Sequence, residues 1–235
     1  FGKIVADSPA VLIVDAISAL GCVECRTQEW NIDLCVTGSQ KALMLPPGLA
    51  FIAVSDRGWQ TIDRNPQARC FYFDLKRYRD TLRTGDSPFT PANTLIRALR
   101  LSLKKMRAEG IEQIWARSAR IAAAARAGLE AMNLELFASV PAESLSVARV
   151  PEGLDGNLLV ARLEKQYGVK IAGGQDSLKG KILRLGHMGY IDAFDVLSAL
   201  AALELTFLEM GHSLEPGAGV AAAQRLAGEG GAAPQ

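Results

Sequence analysis

Nothing in the sequence favours a charged partner or a lipid one. Lysine and arginine total 26 and aspartate and glutamate 25, a formal net charge of +1, so there is no positive excess to hold nucleic acid or an anionic membrane surface. No apolar run approaches the roughly 20 residues that a membrane helix requires, the N-terminus lacks a signal-peptide pattern, and no internal repeat is present. The four cysteines, Cys22, Cys25, Cys35 and Cys70, make no disulfide framework, and a reducing cytoplasm is the simpler setting for them. Cys22 and Cys25 form a C-x-x-C, but zinc would need two further ligands at suitable spacing, and a redox role lacks a thioredoxin-like context. Histidine is scarce, with two residues in 235; His187, beside glycines, reads as a hydrogen-bonded orienting group. The chain opens on Phe1 rather than methionine and so reads as a fragment.

What is present is apolar and alternating. Half the residues are hydrophobic (49%), enough for one large domain or two modest ones. Val11–Asp15 reads as a buried strand, Asp33–Thr37 as a second strand and Leu49–Ser55 as a third, and strands joined by crossovers predict a parallel sheet. Helices are expected over 56–62, 74–83, 92–108 and 111–132. Beyond them the pattern becomes α+β: strands at 134–139, 146–150 and 181–185, helices at 156–167 and 192–210. Gly173-Gly174-Gln175 reads as a flexible turn, and Arg117, Arg120, Lys104 and Lys105 as solvated helix faces. This places an α/β domain over 1–109, a small α+β domain over 110–214 and a disordered, Gly/Ala-rich tail over 215–235.

Two polar groups stand at strand ends. Val11-Leu12-Ile13-Val14 runs into Asp15, and Lys41 follows the second strand in a loop, Gly38-Ser39-Gln40, before a Pro46-Pro47-Gly48 turn. Parallel sheets gather ligands at the carboxyl ends of their strands. An aspartate and a lysine there suit pyridoxal phosphate, whose Schiff base needs an amine and whose ring nitrogen stays protonated beside a carboxylate. Taken alone, such a pair is usually two solvated charges.

The surrounding text adds a resemblance. Val14-Asp15-Ala16-Ile17-Ser18-Ala19-Leu20-Gly21, Trp30-Asn31-Ile32-Asp33, Thr37-Gly38-Ser39-Gln40-Lys41-Ala42-Leu43, Pro46-Pro47-Gly48-Leu49-Ala50, Phe89-Thr90-Pro91 and Arg184-Leu185-Gly186-His187-Met188-Gly189 occur in this order. Over residues 1 to about 212 the chain resembles the class V aminotransferases, pyridoxal-phosphate enzymes of fold type I, and within them the alanine–glyoxylate and serine–glyoxylate group. The resemblance implies that Lys41 is the Schiff-base lysine and proton shuttle and that Asp15 pairs with the pyridine nitrogen. Ile17 would pack on the ring, Gln40 would bind the cofactor phosphate, Thr90 would serve the phosphate of the neighbouring subunit in a homodimer, and Arg184 would grip the substrate carboxylate. It implies a large cofactor-binding domain whose earlier part is missing here, with its ring-stacking aromatic and glycine-rich turn.

Each residue has a plainer reading: Gln40 as a loop cap, Ile17 as core, Thr90 as a helix N-cap, Arg184 as a surface charge. Three functions follow: an aminotransferase moving the amino group of alanine or serine to glyoxylate or another 2-oxo acid, a lyase or desulfurase of the same fold, or a non-catalytic fragment. The desulfurase relatives carry histidine where Gln40 stands, which favours the first over the second.

Overall fold

The computed structural model describes residues 1–65 and 69–228. They form two compact units, one of described residues within 1–20 and 24–105 and one within 21–23 and 106–228. Among the described residues no helix is long and apolar enough to cross a membrane.

The first unit contains helix α1 (Gly2–Ala6), strands β1 (Ile13–Asp15), β2 (Leu34–Gly38) and β3 (Ala50–Val54), and helices α2 (Asp56–Asp63) and α3 (Leu75–Leu82). Helix α4 (Asn93–Glu109) begins in it. The sheet order is β1-β2-β3. β1 and β2 are parallel, with Asp15 opposite Val36. β3, expected to extend a parallel sheet, is antiparallel to β2, with Gly38 opposite Ala50. The reason is the connection: residues 39–49 turn back through Pro46-Pro47-Gly48 without the helix that a parallel crossover uses. Ser55 starts α2 by accepting a hydrogen bond from Gly58 N, and Asp74 starts α3 through Lys76 N.

The second unit holds α5 (Ile111–Ala131), β4 (Leu145–Arg149), α6 (Gly156–Tyr167), β5 (Ala172–Gly173), a 3-10 turn (Asp176–Leu178), β6 (Ile182–Gly186), α7 (Ala193–Glu209) and α8 (Ala218–Ala227). Its antiparallel sheet runs β4-β6-β5. Asp155 caps α6 and left-handed Gly168 ends it, while Asp192 and Asp195 make a reciprocal capping box on α7. The core joins Leu129 of α5, Leu159 and Leu163 of α6, Leu183 and Leu185 of β6, and Leu200, Leu203 and Phe207 of α7.

Four expectations change here. Residues 134–139 are no strand; they contribute one bridge, Leu136 to Ala148. Gly173 belongs to a strand paired with β6, and a side chain at Gly174 would run into the Leu178 carbonyl, so this stretch is fixed rather than flexible. Arg117 is not a solvated charge: its guanidinium bonds Glu109 at 2.7 and 3.2 Å and the Ile191 carbonyl at 3.1 Å. The expected disorder from 215 gives way to α8 over Ala218–Ala227; residues 229–235 lie outside the described ones. Buried Glu204 of α7 explains α8, since its carboxylate accepts from Gly217 N (2.9 Å), Gly219 N (2.6 Å) and Val220 N (3.3 Å), tying down orphan donors at the helix start. Small residues do the rest. A side chain at Gly128 of α5 would press on Leu200 Cδ1 and sit 3.0 Å from the Gly219 carbonyl.

Gly128→Ala is therefore expected to destabilise the protein by about 1–2 kcal/mol, overpacking of about 1–3 kcal/mol outweighing alanine's better helix propensity. Urea unfolding checks this; an unchanged midpoint would mean that α5 and α7 have room to spare.

Candidate active site

Because β1 and β2 are parallel, the chain leaves both at the same end of the sheet. Asp15 closes β1 there, exposed, and its Oδ1 accepts a hydrogen bond from Ile17 N at 2.9 Å, which turns the chain off the strand. The ladder continues one step through Ala16 N to the Val36 carbonyl (2.8 Å), and buried Thr37 donates its hydroxyl to the Ala16 carbonyl (3.4 Å). The end of β1 is thus anchored to the end of β2.

Lys41 lies in the loop beyond Gly38 and is half-buried. That loop closes on one wholly buried residue, Ser39. Its hydroxyl donates to the Pro46 carbonyl (2.8 Å) and accepts from Leu49 N (3.2 Å), its N–H donates to the Leu49 carbonyl (3.0 Å), and its carbonyl accepts from Leu45 N (3.1 Å). Ser102 of α4 adds a buried bond to the Leu43 carbonyl at 2.6 Å. The lysine backbone is held on a rigid loop, and preorganisation of this kind is what a reacting group needs.

Gln40 is exposed beside Lys41, with its side chain folded over Gly38; a Cβ at Gly38 would stand 2.8 Å from Gln40 Oε1. Ile17 is half-buried just past Asp15. The structure therefore brings Asp15, Ile17, Gln40 and Lys41 to one sheet end. Thr90 is exposed in the loop before α4, and no hydrogen bond joins it to the other four.

Arg184 belongs to the second unit, on β6 between Val147 of β4 and Ala172 of β5. Its Nε donates to the Gly173 carbonyl at 2.8 Å, which uses one of the five donors and fixes the plane of the guanidinium. Two residues on from β6's Leu185, His187 is buried with its Nε2 2.9 Å from Ser146 Oγ. Burial, with Arg126 nearby, pushes its pKa down to about 4, so the ring is neutral at pH 7.

At the opposite end of β1 and β2, a cavity of about 610 Å³ is lined by Ala6, Thr27, Asn31, Asp33, Ser55 and Arg57 among others. Asp33 and Arg57 there are engaged with each other. Asp33 accepts from Arg57 Nε and Nη2 (3.0 and 2.6 Å), Ser55 Oγ (2.9 Å) and Leu12 N (2.9 Å). This end braces the sheet; Asp15 and Lys41 lie at the other.

Sequence reasoning passed over Thr37, Ser39, Ser102 and Arg57. A small hydroxyl between Gly38 and Gln40, ahead of a Pro-Pro-Gly turn, is a signal for Ser39, since a tight loop needs a buried donor for its carbonyls. Ser102 and Arg57 gave none, because their partners lie on other elements.

The class-V aminotransferase family profile matches residues 1–193, and the chain belongs to that family. It is 41% identical over 223 residues to the soluble hydrogenase small subunit of Synechococcus, covering 94% of this chain and 58% of that protein. It is 38% identical to the L-aspartate–glyoxylate aminotransferase of Paracoccus denitrificans, over 93% of this chain and 56% of that one. The crystal structure of ureidoglycine–glyoxylate aminotransferase from Bacillus subtilis superposes with a TM-score of 0.90 at 33% identity, covering 96% of this chain and 59% of that one. The fold is accordingly the α/β fold of the type I aminotransferases. The chain spans somewhat over half the length of these relatives.

Proposed function

We propose that the whole protein is a pyridoxal-phosphate-dependent aminotransferase that moves the amino group of a small amino acid, alanine or serine, to glyoxylate or another 2-oxo acid. The observation that carries this reading is the placement of Asp15 and Lys41 at one end of a parallel strand pair, the lysine on the loop closed by Ser39. Family membership supports it, as do the two relatives named for glyoxylate aminotransfer.

The residues present fit the cofactor: a carboxylate and an amine stand at the same sheet end, with Gln40 beside them and Gly38 leaving space for the glutamine side chain. When bound, pyridoxal phosphate supplies an electron sink that lets the α-proton of an amino acid leave. Lys41 Nζ would hold the cofactor and move the substrate's proton, Asp15 would accept a hydrogen bond from its ring nitrogen, Ile17 would pack against its ring, and the Gln40 amide would donate to its phosphate. Exposed Thr90 would serve the phosphate held by a second copy of the chain in a homodimer. The four cysteines, none of them in a disulfide, suit a reducing cytoplasm.

Arg184 takes the substrate carboxylate in a two-pronged grip, its Nε held by Gly173. Arg184→Lys keeps the charge and loses the fork, so apparent affinity for both amino and oxo acid should fall by about 1.5–3 kcal/mol, the range for hydrogen bonds to charged groups. Steady-state kinetics of the whole protein with alanine or serine and glyoxylate test both the residue and the reaction. Unchanged KM values would remove Arg184 from substrate binding, and sulfide or ammonia release without amino transfer would replace the aminotransferase reading with a lyase one.

A further inference from the structure

The C-x-x-C of the sequence divides between the two units: Cys22 belongs to the second, and Cys25 to the first. Cys25 instead faces Cys35, with 3.9 Å between the two sulfur atoms. Cys35 sits in the middle of β2 opposite Val14, only 4% exposed. Cys25 lies half-buried in the connection between β1 and β2, and both pack in a small cluster with Ala16 and Ile32. Ala16 directly follows Asp15.

We propose that Cys25 and Cys35 form a reversible disulfide on exposure to a peroxide, making this cluster a modification site at the strand end that carries Asp15. A disulfide needs the sulfurs to close by roughly 2 Å, and Cys25 lies on an irregular connection rather than in a strand. The two thiols differ in a useful way. Burial, with Cys25 adjacent, pushes the Cys35 thiol up to about 11, so it stays protonated, while the more accessible Cys25 meets the oxidant first. The Cys25 thiol gives up its proton as its sulfur attacks one peroxide oxygen; an S–O bond forms, the O–O bond breaks, and the departing hydroxide takes up that proton and leaves as water. The Cys35 sulfur then attacks the Cys25 sulfenic acid; the S–S bond forms, the S–O bond breaks, and a second water leaves with the Cys35 proton. Two thiols are oxidised by two electrons and one peroxide is reduced to two waters.

The test is treatment of the purified chain with equimolar hydrogen peroxide, followed by thiol titration and non-reducing peptide mapping. Cleavage after Glu24 separates Cys22 from Cys25. The expected result is a Cys25–Cys35 cross-linked peptide lacking two hydrogens, loss of two of the four titrating thiols, and recovery of both with dithiothreitol. In Cys35→Ser, Cys25 should be captured by a sulfenic-acid reagent such as dimedone. In Cys25→Ser, which alters the less buried partner, Cys35 should stay reduced under the same dose. Four thiols still titrating after treatment, or a bridge joining Cys25 to Cys22 or Cys70, would overturn the proposal.

Discussion

Lys41→Ala is expected to remove transamination by the whole protein, with kcat falling by more than the roughly 10²–10⁴-fold that one positioned proton-transfer group contributes. Lys41 is asked to attach the cofactor as well as to move the proton, and no second lysine lies in the loop that Ser39 closes. Lys41→Arg should be nearly as inactive, because a guanidinium keeps the charge but does not act as a free amine at neutral pH. The loop itself should survive, since its hydrogen bonds run through Ser39, Leu45, Pro46, Leu49 and Ser102 rather than through the lysine side chain. Amino-transfer assays beside circular dichroism separate the two effects. A Lys41→Ala protein with more than about a hundredth of the parent kcat would remove the lysine from the chemistry.

The largest effect on stability is expected at Asp33. Its side chain is 4% exposed and accepts four hydrogen bonds, two of them from Arg57. Arg57 Nη1 also reaches the Val5 and Ala6 carbonyls at 3.2 Å, so the pair ties α1, β2 and α2 together. Asp33→Ala leaves a guanidinium and the Leu12 N–H without their acceptor. Breaking a buried pair costs about 3–5 kcal/mol; Arg57 is a third exposed and regains some water, so about 3 kcal/mol is expected. The Arg57 hydrogen bond holds the Asp33 carboxyl down, from 3.8 to about 2, against the opposing effect of burial. A folded-state pKa below the unfolded one stabilises above the unfolded value and ceases to do so as pH falls through the folded value. Asp33 should accordingly contribute roughly 2 kcal/mol near neutrality, lost progressively between pH 4 and pH 2. Urea unfolding across pH 2–7 should show this slope in the parent and a flatter one in Asp33→Asn. Equal slopes would place the stabilisation elsewhere.

How far the sequence could be read depended on whether the information was local. Apolar runs ending in Asp15 and in Gly38-Ser39-Gln40-Lys41 announce strand ends by themselves, and so does the Asp155-to-Gly168 helix with its cap and stop. Strand direction at β3 is not local in the same way: it follows from the shortness of residues 39–49, which a reading centred on crossovers overlooks. The helix over 218–227 was hidden because it carries only two large apolar residues, Val220 and Leu226, too few to show a helical period; what holds it is Glu204 on α7 and the close approach of Gly128 and Gly219. Arg117 looked like one more surface charge until α5 placed it against Glu109 and the Ile191 carbonyl. The cysteines were misleading for the same reason: spacing joined Cys22 to Cys25, whereas the fold sets Cys25 against Cys35. At the candidate site, the residue types at the strand ends were visible in the sequence; Ser39 carried a signal that was passed over, and Ser102 carried none.

The central claim is that Lys41 is the cofactor lysine. The most direct test is borohydride reduction of the whole protein equilibrated with pyridoxal phosphate, followed by digestion and mass mapping of the pyridoxyl group. The account predicts a single modified site on the peptide carrying Gln40 and Lys41, with the label on Lys41 and strongly reduced labelling in Lys41→Ala. A label on any other lysine, or equal labelling of the Lys41→Ala protein, would contradict it.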